Sequence, residues 1–121
     1  MFIEPLLSYV VAHKVTGKKI RILTESRSGE TFTYDFGDTI YDYKSNSYVS
    51  VTQDETTIKL YDYKSGKHFL IKPKSHGIFM ANQYGTDDYY EITVQNKLVL
   101  ISNKKKGFTK IYYFSLYEAD S

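Results

Sequence analysis

The sequence predicts an all-β fold, a single antiparallel sandwich or barrel of about 9–11 short strands joined mostly by hairpins. Three observations carry that reading. Apolar and polar residues alternate with a period of two through most of the chain. Turn chemistry recurs about every 8–12 residues. No segment keeps the 3.6-residue period of an amphipathic helix over the roughly ten residues that such a helix needs.

The elements follow in order. Residues 2–11 read as a short helix or, because Leu7, Tyr9, Val11 and Val15 alternate, as a first strand that partly buries His13. Strands are expected over 19–26, 30–36, 56–63, 78–84, 89–95, 98–102 and 108–117, all rich in β-branched and aromatic residues. In 30–36, Phe32, Tyr34 and Phe36 share one parity against Thr31, Thr33 and Asp35. The gaps hold Gly, Asn, Asp and Ser, as in Ser28-Gly29, Asn46-Ser47, Ser65-Gly66 and Lys106-Gly107, the residues that turns select. At 121 residues the chain is one domain, 1–121.

One motif repeats. Tyr41-Asp42-Tyr43-Lys44-Ser45 returns twenty residues later as Tyr61-Asp62-Tyr63-Lys64-Ser65. Each copy reads as a strand, a tight turn and a returning strand. Asn46 and Gly66 fall where such a turn needs a left-handed residue. Asp42 and Asp62 are placed to accept hydrogen bonds from turn amides. The repeat is therefore one hairpin turn used twice, or part of a longer array whose third copy is not evident. Leu98-Val99-Leu100-Ile101 and Ile111-Tyr112-Tyr113-Phe114 are apolar on both parities, so both their faces are expected to be covered, by a second layer, by a ligand or by a partner.

Composition removes many chemistries. With no Cys, thiolate zinc sites, iron–sulfur sites, disulfides and cysteine nucleophiles are all excluded. His13, His68 and His76 have no metal-ligand spacing, and no P-loop, Gly-x-Ser-x-Gly or alternating calcium loop occurs. No catalytic residue, metal or cofactor is expected, and the chain reads as a protein that is not an enzyme. No apolar run is long enough for a membrane span. The start lacks a basic segment, and Glu4 and Pro5 interrupt any signal-like run, so a cytoplasmic protein is expected.

Charge and tyrosine point to binding. The net charge is only +2, but residues 34–63 hold six acids, Asp35, Asp38, Asp42, Asp54, Glu55 and Asp62, against two lysines. Thirteen tyrosines are an excess, and Tyr suits interfaces because it offers contact area and a polar tip at little entropic cost. Parity puts Tyr61 and Tyr63 on the face of Lys59, opposite Ile58 and Leu60, and the repeat puts Tyr41 and Tyr43 likewise. The expected partner-binding set is Asp35, Tyr41, Asp42, Tyr43, Asp54, Glu55, Tyr61, Asp62 and Tyr63. In that reading the acids steer toward a basic cleft and the rings anchor.

Lys106-Gly107-Phe108 and Tyr113 partly match an RNA-binding consensus, but Thr109 and Lys110 replace base-stacking positions and arginine is scarce, which argues against nucleic acid. The expected function is a non-catalytic protein-binding domain, an immunity or inhibitor protein that covers the active surface of a toxin or enzyme. The alternative is a small-ligand- or carbohydrate-binding barrel.

Overall fold

A computed structural model describes residues 3–117. They form one helix, α1 (Ile3–Thr16), and eleven strands: β1 (Ile20–Glu25), β2 (Thr31–Phe32), β3 (Tyr34–Phe36), β4 (Thr39–Asp42), β5 (Ser47–Asp54), β6 (Thr57–Asp62), β7 (His68–Ser75), β8 (Ile78–Gln83), β9 (Tyr89–Gln95), β10 (Leu98–Asn103) and β11 (Phe108–Leu116). All strands join one antiparallel sheet, in the order β2-β1-β11-β10-β9-β8-β7-β6-β5-β4-β3. From β3 to β11 each strand pairs with the next in sequence. The end strands β2 and β3 are separated only by Thr33, so the sheet curls round into a nearly closed barrel. The expected 30–36 strand is thus two short ones, one at each end of the sheet.

Of the two readings of the N-terminal segment, the helix holds and extends to Thr16, and the strand does not. Leu6, Leu7, Ser8, Tyr9, Val10, Val11 and Ala12 are consecutive and each at most 1% exposed. Seven consecutive residues cover every side of a helix, so α1 lies inside the barrel. A helix buried all round is apolar all round and has no amphipathic period to detect. Its ends are conventional. Glu4 and Pro5 stand in the first turn, and His13 and Lys14 in the last. Gly17 ends the helix at φ 67°, its N–H donating to the His13 carbonyl at 2.9 Å. His13 is therefore helical, not on a strand.

Alternate strand residues point inward onto α1, among them Ile40, Leu60, Ile71, Ile92 and Ile101, all essentially buried. The helix packs most closely on β1, β9, β10 and β11, and Tyr9 reaches across to Tyr34, with ring centroids 4.7 Å apart. Within the chain, no second layer covers the outer face of β10 and β11 among the described residues. Val99, Ile101, Tyr112 and Phe114 are buried, but Leu98 and Leu100 are half-buried and Tyr113 is exposed. Only one face meets the core.

The two rims use different turns. At the rim nearest the N-terminal end of α1, turns 25–29, 42–46, 62–66 and 103–107 share one construction. A side-chain oxygen of the first residue accepts an amide two or three residues on: Asp42 from Lys44 at 2.9 Å, Asp62 from Lys64 at 3.0 Å, Asn103 from Lys106 at 2.9 Å and Glu25 from Ser28 at 3.3 Å. The fifth residue is left-handed in each, Gly29 (φ 74°), Asn46 (52°), Gly66 (76°) and Gly107 (73°). The turn expected twice is used four times. At the opposite rim the hairpins close through two residues, with Glu55, Gly77 or Asn96 at positive φ.

Candidate functional site

The outer face of the sheet gathers tyrosines into a band. Cross-strand pairing sets Asp35 of β3 beside Tyr41 of β4, and Tyr41 beside Tyr48 of β5. Tyr63 continues that row, its N–H donating to the Tyr48 carbonyl at 3.2 Å. In the next row Ser50, Tyr61 and His68 are cross-strand partners, and the Tyr84 N–H donates to the His68 carbonyl at 2.8 Å. Tyr89 lies opposite Asn82 one row further on. Tyr43, Tyr48, Tyr63, Tyr84 and Tyr89 are 51–70% exposed, so half or more of each side chain is in water.

The internal repeat extends to the ring contacts. Tyr41 meets Tyr43 at 5.0 Å and 85°, and Tyr61 meets Tyr63 at 5.0 Å and 87°. Tyr41 lies 4.8 Å from Tyr48, and Tyr61 lies 4.5 Å from His68. Edge-to-face contacts of this kind hold the rings in fixed positions at a gain of about 0.5–1.5 kcal/mol each.

The expected rings thus come together, but the expected acids do not accompany them. Asp42 and Asp62 are 2% and 4% exposed. Each accepts the turn amide described above and also a serine hydroxyl, Ser45 at 2.8 Å and Ser65 at 2.7 Å. They hold the turns and do not face a partner. Asp54 and Glu55 are exposed, but they sit at the far end of β5, six residues from Tyr48, roughly 20 Å at about 3.3 Å per residue. Only Asp35 stays beside the rings, and its carboxylate lies 3.9 Å from Lys19 Nζ.

Tyr48, His68, Tyr84 and Tyr89 belong to the band and were not among the expected residues. Two of them had a signal. A four-residue turn between Asp42 and Ser47 places Tyr48 opposite Tyr41, and the twenty-residue offset carries Tyr48 onto His68.

No known family model, curated protein or solved structure matches the chain. Function must therefore be argued from the surface itself.

A second feature is the barrel mouth at the C-terminal end of α1. A cavity of about 520 Å³ opens there, lined by Val10, Val51, Ile58, His13, Phe36 and Asp38 among others. It exists because the β5–β6 hairpin runs past the start of β4, so Val51 overhangs the mouth and is only half-buried. The His13 ring stacks on Phe36 at 4.3 Å and 9°. His68 is on the outer face and His76 in the β7–β8 turn. Among the described residues no group of three or more His, Asp or Glu side chains is placed to hold a metal ion. No helix among them is long and apolar enough to cross a membrane.

Burial lowers the His13 pKa from its ordinary 6.5. The unfolded chain then takes up a proton here more readily than the folded one, so stability rises with pH. The contribution is complete above the unfolded pKa and is lost as pH falls below it. Thermal midpoints measured from about pH 7.5 down to about 5.5 are expected to fall less steeply in His13→Gln than in the wild type. Parallel curves for the two proteins would show that His13 carries no such linkage.

Proposed function

We propose that the chain is a non-catalytic protein-binding domain, an immunity or inhibitor type of protein that neutralises a toxin or enzyme by covering its active surface. The observation that carries this is the pairing of a filled barrel with an exposed tyrosine band. The helix occupies the interior, so recognition is left to the outside. Contiguous exposed aromatic surface is unusual on a chain that works alone, and tyrosine anchors dominate many interfaces.

The test is affinity capture from native lysate at moderate salt, read by native mass spectrometry, with wild type beside a Tyr48→Ala/Tyr63→Ala variant. One stoichiometric protein is expected on the wild type, bound about thirtyfold more weakly by the variant if the two rings together contribute about 2 kcal/mol. The variant is expected to stay folded, its thermal midpoint lowered only by the loss of the Tyr41–Tyr48 and Tyr61–Tyr63 ring contacts, because more than half of each ring stands in water. Equal capture by both proteins, or a variant that unfolds, rejects the band as a docking face.

The barrel-mouth cavity favours a second reading, a small-ligand- or carbohydrate-binding barrel, since about 520 Å³ is within the range of small-molecule sites. A monomer that carries only a small bound mass in the same experiment would select it.

A further inference from the structure

We infer that the partner presents an acidic, carboxylate-rich surface to the rim nearest the N-terminal end of α1 and to the tyrosine band beside it; this rests on the protein-binding reading above. The four related turns each place a basic residue third, Arg27, Lys44, Lys64 and Lys105, and all four are exposed. Repeated turn geometry therefore distributes cations round one rim. Lys67, Lys104 and Lys106 stand on the same turns or next to them.

The acids of this surface are already engaged. Glu30 pairs with Lys44 at 2.6 Å, Asp88 with Lys106 at 3.2 Å, Glu4 with Lys110 at 3.3 Å, and Asp87 with Lys105. Asp35 and Glu91, on the outer face, pair with Lys19 and Lys74. Asp42 and Asp62 are buried in their turns, and Glu25 accepts the Ser28 amide. Arg27, Lys64, Lys67 and Lys104 make no ion pair among the described residues, and neither do Lys59 and Lys72 on the outer face of β6 and β7. The uncompensated charge around the rings is positive, the reverse of what acid counts along the chain predict.

Carboxylates suit this surface twice over, since ammonium groups supply the opposite charge and tyrosine hydroxyls donate hydrogen bonds. A groove of about 250 Å³ where the band ends, between Met80, Tyr89 and Lys104, is also lined by Asp87 and Glu91, each paired with a lysine of the same groove, and has room for a partner side chain. Single-stranded nucleic acid shares the charge but needs open ring faces for stacking. Tyr41 and Tyr61 are instead each packed against two neighbouring rings, and arginine, the cation that stacks best on bases, is scarce in the chain.

The test is an NMR titration of the full chain with poly-L-glutamate, poly-L-lysine and oligo(dT). Poly-L-glutamate is expected to shift the amides of Tyr48, Lys59, Tyr63 and Lys64, and added salt to weaken it. Arg27→Glu/Lys64→Glu/Lys104→Glu is expected to bind it about tenfold more weakly, since single exposed ion pairs contribute little and salt screens them. Asp54→Asn/Glu55→Gln, at the other rim, is expected to bind as wild type does. Tighter binding of oligo(dT) would make the partner a nucleic acid and overturn the inference. So would a preference for poly-L-lysine, shifts confined to another surface, or binding that survives the triple reversal. Should the captured partner be lost on Tyr48→Ala/Tyr63→Ala but kept by the triple reversal, the docking face stands and the acidic partner falls. Should neither variant lose it, the protein-binding face fails as well.

Discussion

Leu7→Ala is expected to cost about 2–5 kcal/mol of folding stability, and Leu7→Asp to leave no folded protein. Leu7 is fully buried in a helix that the barrel surrounds, so neither the sheet nor solvent is free to fill the space a lost side chain leaves. A domain of this size holds only about 5–15 kcal/mol in total, so the alanine variant forfeits a large share of it. An aspartate at the same place would put a charge among the apolar side chains of the barrel centre, where burial of a carboxylate is far more costly than loss of a methyl group. Val15 supplies the comparison. It is in the last turn of α1 and 43% exposed, and Val15→Ala is expected to change stability by less than about 0.5 kcal/mol. Urea unfolding followed by far-ultraviolet circular dichroism measures both. A Leu7→Ala cost below that of Val15→Ala would mean that α1 is not the core of the barrel.

The same helix shows where sequence reading stops. Half-buried strands alternate, so β6, β9 and β11 are visible as period-two runs whatever lies beneath them. A helix enclosed by a barrel presents no polar side, so residues 3–16 carry no helical period. Their alternating Leu7, Tyr9 and Val11 even suggest a strand. What remained legible were the ends, Glu4-Pro5 and Thr16-Gly17, which frame a helix once the periodic test is set aside. The band of rings was half legible, because parity places Tyr61 and Tyr63 together while Tyr84 and Tyr89 join only when β8 and β9 wrap round. Charge was the least legible part. Counting along the chain assigns Asp35, Asp42, Asp54 and Asp62 to one acidic region. Folding buries two of them and carries Asp54 to the other rim. The pairs that neutralise the rim come from distant segments, Glu4 with Lys110 among them.

Asp62→Ala is expected to destabilise by about 2–3 kcal/mol, and Asp42→Ala by a similar amount, without weakening partner binding by the folded fraction. Each carboxylate receives a backbone amide and a serine hydroxyl at 2.7–3.0 Å, Asp42 accepts a second, longer amide from Ser45 at 3.4 Å, and hydrogen bonds to a charged acceptor contribute about 1.5–3 kcal/mol each. The loss stays below their sum because the turns are at a rim, where water can reach a freed amide. Asparagine is the graded control. Its Oδ1 can still accept the turn amide, so Asp62→Asn is expected to cost about half as much as alanine. Asp35→Asn should leave stability unchanged, because its carboxylate is exposed and its ion pair with Lys19 is long at 3.9 Å. The acid-steering reading predicts the opposite pattern. In that case Asp42→Ala and Asp62→Ala would lower association rate and affinity at a constant thermal midpoint, and the loss would shrink at high salt. Measuring midpoint and association rate on the same four variants separates the two accounts, since burial ties these carboxylates to the turn and exposure would tie them to the partner.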